Sequence, residues 1–377
     1  MLTTRRGQRR VAFTPVTSSP LQSATAPETG DPGSVTAAHR PVSFADLTTI
    51  HVGGPVGRLV EATTSQELVD AVRSADAAGT PVLVIGGGSN LLVGDDGFDG
   101  TVVRVATSGL RVEGTRMHVD AGVEWDLVVR TALDHGLAGI EALSGIPGST
   151  GGTPVQNVGA YGASTSDWLE SVTVLDRESG EVEVWDNARC GFGSHRSSAF
   201  KYTDRYVVVD VTFALRRSDE SAPVRYAALA ERLGVRIGES VSAREVRDAV
   251  IALRTDRGMV WDEAEHDSWS VGSFFLNPIV SSVPPEALGS PQFTDPKGIK
   301  LSAAWLIEHA GFSRGYGERV GTGRATLSTR HVLAVTNRGG ASAADVTALA
   351  SHVRAGVQEK YGITLIPECR LVNCTLD

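Results

Sequence analysis

Cysteine is scarce in this chain of 377 residues: the three thiols, Cys190, Cys369 and Cys374, are few, odd in number and scattered. That count excludes a disulfide framework, and two neighbouring thiols without histidine partners make a poor zinc site, so no metal is expected. Reducing cytosol is the natural compartment. The sequence also lacks any uninterrupted apolar run long enough to cross a bilayer, although its hydrophobic fraction of 41% is that of a globular protein. Positive charge is in deficit too. A formal net charge of -9 argues against nucleic acid or an anionic membrane as partner, since either favours a broad basic face. Large apolar side chains are almost missing from residues 1–42, which are rich in Ser, Thr, Pro, Gly and Ala and begin with the basic cluster Arg5, Arg6, Arg9, Arg10. A secretory or twin-arginine signal needs an apolar stretch after such a cluster, and VAFTPVTSSP is too short and too polar. Residues 1–42 therefore read as a disordered tail, or as a start codon placed too early.

What remains is long enough for two or three domains. PVGRLVEA reads as a strand, and Thr64 with Glu67 forms a capping box for a helix through ELVDAVRSADAAG, stopped by Gly79 and Pro81. VLVI follows as a short buried strand. Up to about residue 215 the chain runs in short β-branched segments divided by glycines: TVVRV, GLRVEG, MHVDAG, SVTVLD, EVEVW and YVVVDVTFAL, interrupted by one helix, EWDLVVRTALDHG. This is an α+β region with a mixed sheet and no regular βαβ alternation. RRSDESAP at 216–223 is polar and Pro-ended, a linker by composition. Three helices follow, AREVRDAVIALRTD, SAAWLIEHAG and SAADVTALASHVRAGVQEKYG. The last opens on Ser342 and Asp345, stops at Gly362, and carries Val346, Leu349, Val353 and Val357 on one face. A final strand is predicted in ITLIPECRLVN.

The sharpest local signal is VLVIGGGSNLLVGDDGF, an apolar strand running into Gly86, Gly87, Gly88, Ser89 and Asn90. Glycines there let backbone N–H groups converge on phosphate oxygens, with Ser89 and Asn90 adding side-chain hydrogen bonds. A Rossmann turn is the competing reading, and two features oppose it. LLV after the loop looks like another strand, and Leu91 occupies the position of the third glycine in G-x-G-x-x-G. Alone, the loop is equally a glycine-rich turn. Some fifty residues on, however, stands LSGIPGSTGGTPVQNVGAYG, with Gly145, Pro147, Gly148, Ser149, Gly151, Gly152, Gln156, Asn157, Gly159 and Tyr161. Two backbone walls closing on one diphosphate explain both loops.

Together these two motifs resemble the UDP-N-acetylenolpyruvoylglucosamine reductase family, and the similarity runs from about Phe44 to Asn373. The resemblance implies a two-subdomain FAD-binding domain of the vanillyl-alcohol-oxidase (PCMH) type at 43–217. A C-terminal α/β substrate-binding domain at 222–365 and a strand at 366–377 returning to the FAD-binding part would complete the chain. It implies non-covalent FAD held by the two loops, with Gly53 and Gly54 of TTIHVGGP matching the family's opening turn and Tyr161 an aromatic near flavin and substrate. NADPH would be co-substrate, and the enolpyruvyl ether of UDP-N-acetylglucosamine would be reduced to UDP-N-acetylmuramate in peptidoglycan synthesis. A monomer is the expected state.

In that reaction the flavin gives hydride to C3 of the enolpyruvyl group, and the charge left at C2 flows into the carboxylate. The site needs a cation or acid at the carboxylate and a proton donor at C2. Ser273 in VGSFFLNP matches the family's proton-donating serine; read alone it is also a polar turn residue before two buried aromatics. Glu368 and Arg370 of PECRLV alternate along the predicted final strand and so share one face. Glu368 matches the family's glutamate that supports protonation, and Arg196 of SHRSSAFK matches the arginine beside the substrate carboxylate. Arg254, Arg257, Asn277 and Arg370 match substrate or diphosphate positions.

Three positions depart from the pattern. The family's tyrosine before the catalytic arginine is His195 here, Leu276 stands where many members are polar, and Phe293 is a candidate for the lid aromatic that one subgroup supplies as tyrosine. Two other classes stay open on sequence: an oxidase of the same flavin fold, and a flavin- or nucleotide-binding protein without catalysis.

Overall fold

The structure is a computed structural model that describes residues 41–193 and 197–377; the expected tail up to residue 40, with Ser194, His195 and Arg196, lies outside the described residues. Val56–Ala62, Phe98–Val105 and Val82–Ile85 form a parallel sheet with Phe98–Val105 in the middle. The run between Val56 and Ala77 folds as its pattern predicts. The helix Ser65–Ala77 starts on Thr64, whose side chain accepts the Glu67 N–H at 3.1 Å while Glu67 accepts the Thr64 N–H at 3.2 Å. Leu68, Val69, Val72 and Ala75 then fall on one buried stripe against the sheet.

The glycine-divided segments build a second, antiparallel sheet in the order Val182–Asp186, Leu169–Asp176, Tyr206–Ala214, Arg116–Asp120, Leu110–Glu113. Its inner face and the helix Trp125–Asp134 bury Trp125, Val172, Val211 and Phe213 in a common core. The indole N–H of Trp125 donates to Leu143 O at 2.9 Å, which fixes that helix beneath the second glycine loop.

A separate core gathers around the helices Ala303–His309 and Ala343–Tyr361, with Phe274, Phe275, Val346, Leu349, Val353 and Val357 fully enclosed. Ser342 and Asp345 make their capping box, and Gly362 ends the long helix in the left-handed region at φ 67°.

Two expectations need correction. The predicted last strand is a strand only over Arg370–Val372, which pairs in parallel with Leu91–Val93. Pro367 has no N–H to extend that ladder; Ile366 and Glu368 bond instead to Leu276 and Phe274, through Leu276 N to Ile366 O at 2.9 Å and Glu368 N to Phe274 O at 2.8 Å. The polar stretch 216–223 is not a free linker. Arg216–Arg217 pairs with Leu137–Ala138, Ser221 is buried, and its N–H donates to Val241 O at 2.7 Å. Composition reports polarity but not where the backbone groups find partners.

Candidate active site

The two glycine loops pack against each other and both line a cleft of about 590 Å³. Their separation is set by main chain. A Cβ at Gly87 would lie 2.9 Å from Gly148 Cα, and one at Gly86 would lie 2.0 Å from Ser149 Oγ. Ser89 Oγ ties the loops by donating to Pro147 O at 2.9 Å, and Trp125 N holds the second loop at Gly148 O, 3.0 Å away. Both strands that could carry a bulky loop are thus stripped to backbone where they approach.

From the end of the first loop the ladder continues toward the chemistry. Asn90 O accepts the N–H of Arg370 at 3.0 Å, at the start of the short parallel pair. Two residues earlier, Glu368 is bonded through its N–H to Phe274 O, so Ser273 and Glu368 come from adjacent antiparallel segments and both face the cleft. Gly272, at φ 74°, makes the turn that brings Ser273 out of the wall while Phe274 and Phe275 go into the core.

The cleft wall unites Gly86, Gly87, Gly88, Ser89, Asn90, Pro147, Gly148, Ser149, Gly152, Gln156, Gly159, Tyr161, Arg254, Arg257, Ser273, Asn277, Glu368 and Arg370. Five residues singled out from the sequence stand off it. Gly53 and Gly54 instead allow a close crossing with Val93–Gly97: a Cβ on Gly54 would sit 1.9 Å from Asp95 O, and Gly53, at φ 112°, abuts Phe44. Gly145 faces the helix Ala243–Thr255, and Asn157 is a buried turn residue, φ 35°, whose Oδ1 accepts the Ser166 N–H at 3.1 Å. Phe293 lies half exposed on an outer strand over Lys300, away from the cleft. Arg196 and His195 fall outside the described residues.

Sequence reasoning passed over Arg177, Lys201, Tyr226 and His331, all on the wall. Tyr226 packs edge-on against Tyr161, ring centroids 5.4 Å apart. Burial raises the Tyr161 phenol pKa, opposed by Arg254 and Arg257. Burial, with the Arg257 and Arg314 cations, holds the His331 imidazole down at about 4, so it is neutral at pH 7. Among the described residues the wall carries Arg177, Lys201, Arg254, Arg257 and Arg370 against Asp204 and Glu368. A cleft in a chain of net charge -9 is therefore locally cationic. Arg370 pairs with Asp204 at 2.6 Å, bridging the last strand and the loop before Tyr206.

This wall suits a dinucleotide. Gly86, Gly87 and Gly148 let the two loops meet without side chains between them at the edge of the cleft, and Gln156 Oε1 is buried in the wall with no hydrogen-bond partner among the described residues, an acceptor waiting for a ligand N–H or O–H. Residues 56–185 match the model of an FAD binding domain, and residues 263–372 that of the UDP-N-acetylenolpyruvoylglucosamine reductase C-terminal domain. The reductase of Thermobifida fusca is 50% identical over 355 residues, covering 89% of this chain and 98% of its own. The chain belongs to the UDP-N-acetylenolpyruvoylglucosamine reductase family.

The reductase of Cutibacterium acnes is 52% identical over 343 residues, 89% of this chain and 90% of its own. The crystal structure of the Thermus caldophilus reductase superposes with a TM-score of 0.61 at 27% identity, covering 88% of this chain and 97% of that one. The family fold, an FAD-binding part followed by the reductase C-terminal domain, is thus the fold of this chain. Among the described residues no helix is long and apolar enough to cross a membrane.

Proposed function

We propose that this cleft reduces the enolpyruvyl ether of UDP-N-acetylglucosamine to UDP-N-acetylmuramate, a precursor of peptidoglycan, with Ser273 as proton donor. The Gly86–Asn90 and Pro147–Gln156 walls would hold FAD, which when bound and reduced by NADPH would supply the hydride received at C3. The observation that carries the reading is the placement of Ser273 beside Glu368, on segments joined by the Glu368 N to Phe274 O bond, at the wall that continues directly from the first glycine loop.

The chain's own groups then divide the work. The Ser273 hydroxyl gives its proton to C2; a hydroxyl is a weak acid, but a carbanion is base enough to take it. Glu368 supports that protonation from the neighbouring segment. Arg196 lies outside the described residues, and by its match to the family's arginine its guanidinium would make a bidentate contact to the charge that collects at the substrate carboxylate. Arg254, Arg257 and Asn277 hold the nucleotide diphosphate, and the Asn277 side chain is already oriented by accepting the Ala303 N–H at 2.9 Å. Tyr161 and Tyr226 form the aromatic side of the pocket. Neutral His331 offers a hydrogen-bond donor that adds no charge.

The test is turnover by purified protein. NADPH consumption should match UDP-N-acetylmuramate formation mole for mole and should stop without the enolpyruvyl substrate. NADPH oxidised only by dioxygen, with no muramate product, would contradict the reading.

A further inference from the structure

The second glycine loop and the arginine placed on the substrate meet at a single residue, Gly145, through the peptide groups on its two sides. Gly145 opens that loop; its N–H donates to Asp126 Oδ1 at 2.7 Å, and its carbonyl accepts Arg254 Nε at 3.1 Å. Arg254 Nη2 also donates to Met259 O at 2.5 Å, so the guanidinium is aimed by two main-chain oxygens. Asp126 lies in the first turn of the helix Trp125–Asp134, next to Trp125, whose own N–H holds Gly148 O. One helical turn therefore grips the loop at both Gly145 and Gly148.

Arg247 closes on Asp126 through two bonds of 2.7 Å, from Nη1 to Oδ1 and Nη2 to Oδ2, with 16% and 19% of the two side chains exposed. Arg130 adds a weaker contact at 3.6 Å. Arg247 and Arg254 are two turns apart on the helix Ala243–Thr255 and share its inner face. Between them Ile251 packs directly on Gly145, where a Cβ would come within 2.6 Å of Ile251 Cδ1 and φ is 67°. Burial pushes the Asp126 carboxyl up, but hydrogen bonds from Arg247 and from the Gly145 N–H, with the Arg247 charge, outweigh it and hold the group below its ordinary range.

We propose that Asp126 is a positioning residue of the reductase reaction: its carboxylate fixes the backbone at Gly145 and, through the adjacent peptide groups of that residue, sets both the FAD-facing loop and the Arg254 guanidinium. The inference rests on the reading that this loop binds FAD and that Arg254 binds substrate. A brace that only fastened the helix Ala243–Thr255 would need the ion pair with Arg247; a positioning residue needs the acceptor for Gly145.

Variants separate the two. Asp126→Ala removes the acceptor, and both the apoprotein's Kd for FAD and the KM for the enolpyruvyl nucleotide should rise about tenfold, the lower end for losing a hydrogen bond to a charged group. Asp126→Asn keeps an oxygen toward Gly145 and should hold both constants within about threefold of wild type. Arg247→Met leaves the Asp126–Gly145 bond, so it should lower Tm, by leaving a largely buried carboxylate without its main cation, yet keep both constants within about threefold. Should Asp126→Ala not fold, the double variant Asp126→Ala/Arg247→Met removes the stranded cation and carries the same tenfold expectation. Equal rises in Arg247→Met and Asp126→Ala, or unchanged constants in Asp126→Ala, would overturn the proposal. Arg254→Ala keeps it distinct from the reading beneath it: an unchanged KM there removes Arg254 from the substrate site, while the FAD titration still decides the role of Asp126.

Discussion

Replacing Gly87 by alanine should weaken FAD binding through the approach of two backbones alone. The glycine's own φ is not in the left-handed region, so alanine adopts its conformation without strain. Its new methyl, however, would lie 2.9 Å from Gly148 Cα and 3.3 Å from Gly148 C. Main chain cannot rotate aside, and moving the second wall would stretch the Ser89–Pro147 bond of 2.9 Å and the Trp125–Gly148 bond of 3.0 Å. Overpacking of this kind costs about 1–3 kcal/mol, which converts to a rise of about 5- to 150-fold in Kd if the loops must return to their native spacing to hold FAD. Gly86→Ala should do less, because its closest neighbour is the Ser149 hydroxyl, which can turn away. Gly152→Ala should leave the apoprotein's Tm unchanged, since nothing lies within 4 Å of its added Cβ. The assay strips the flavin, then titrates FAD back while following fluorescence quenching, with Tm measured on each apoprotein. A Gly87→Ala apoprotein that takes up FAD within about twofold of the wild-type Kd would refute the two-wall reasoning.

His331 should leave a signature in stability against pH. The unfolded imidazole takes a proton near 6.5 and the folded one resists until about 4, so stability is full above pH 6.5, falls between 6.5 and 4, and levels below. His331→Gln should remove that part of the slope in urea midpoints measured across the range; an unchanged slope would show that other groups produce it. Ser342→Ala should cost about 1 kcal/mol in denaturant unfolding, because it deletes the cap of the long C-terminal helix. Leu349→Ala, at a site with 0% exposure in the second core, should cost about 2–5 kcal/mol.

Local signals were legible wherever one short segment contained its own physics. Thr64–Glu67 and Ser342–Asp345 are each a complete capping device within four residues, and Val346, Leu349, Val353 and Val357 repeat at the period of a helix. The glycine loops were legible for the same reason, since bulk is missing from the motif itself. Pairings at long separation were not. Nothing within RLV announces that Leu91–Val93 is its partner, and Pro367 hides the change from one ladder to another. Gly53 and Gly54 show the ambiguity carried by any glycine motif. Room for a backbone crossing and room for a ligand leave the same mark in sequence, and here the crossing with Val93–Gly97 uses the room. His331 sits in a turn between Ala325–Leu327 and Val335–Asn337 with no neighbouring motif, and Tyr226 follows a stretch whose polarity resembles a linker. Their place on the cleft wall comes from folding alone.

The most direct test of the account separates the two halves of the reaction in Ser273→Ala. A proton donor to C2 has no part in the transfer from NADPH to flavin, so stopped-flow mixing with NADPH should bleach the variant's flavin at close to the wild-type rate. Reoxidation by the enolpyruvyl nucleotide should slow by about two to four orders of magnitude, the range for losing a positioned general acid, and Ser273→Cys should recover part of it. Equal slowing of both halves would instead show that Ser273 shapes the cleft, and the assignment of the proton to its hydroxyl would fall.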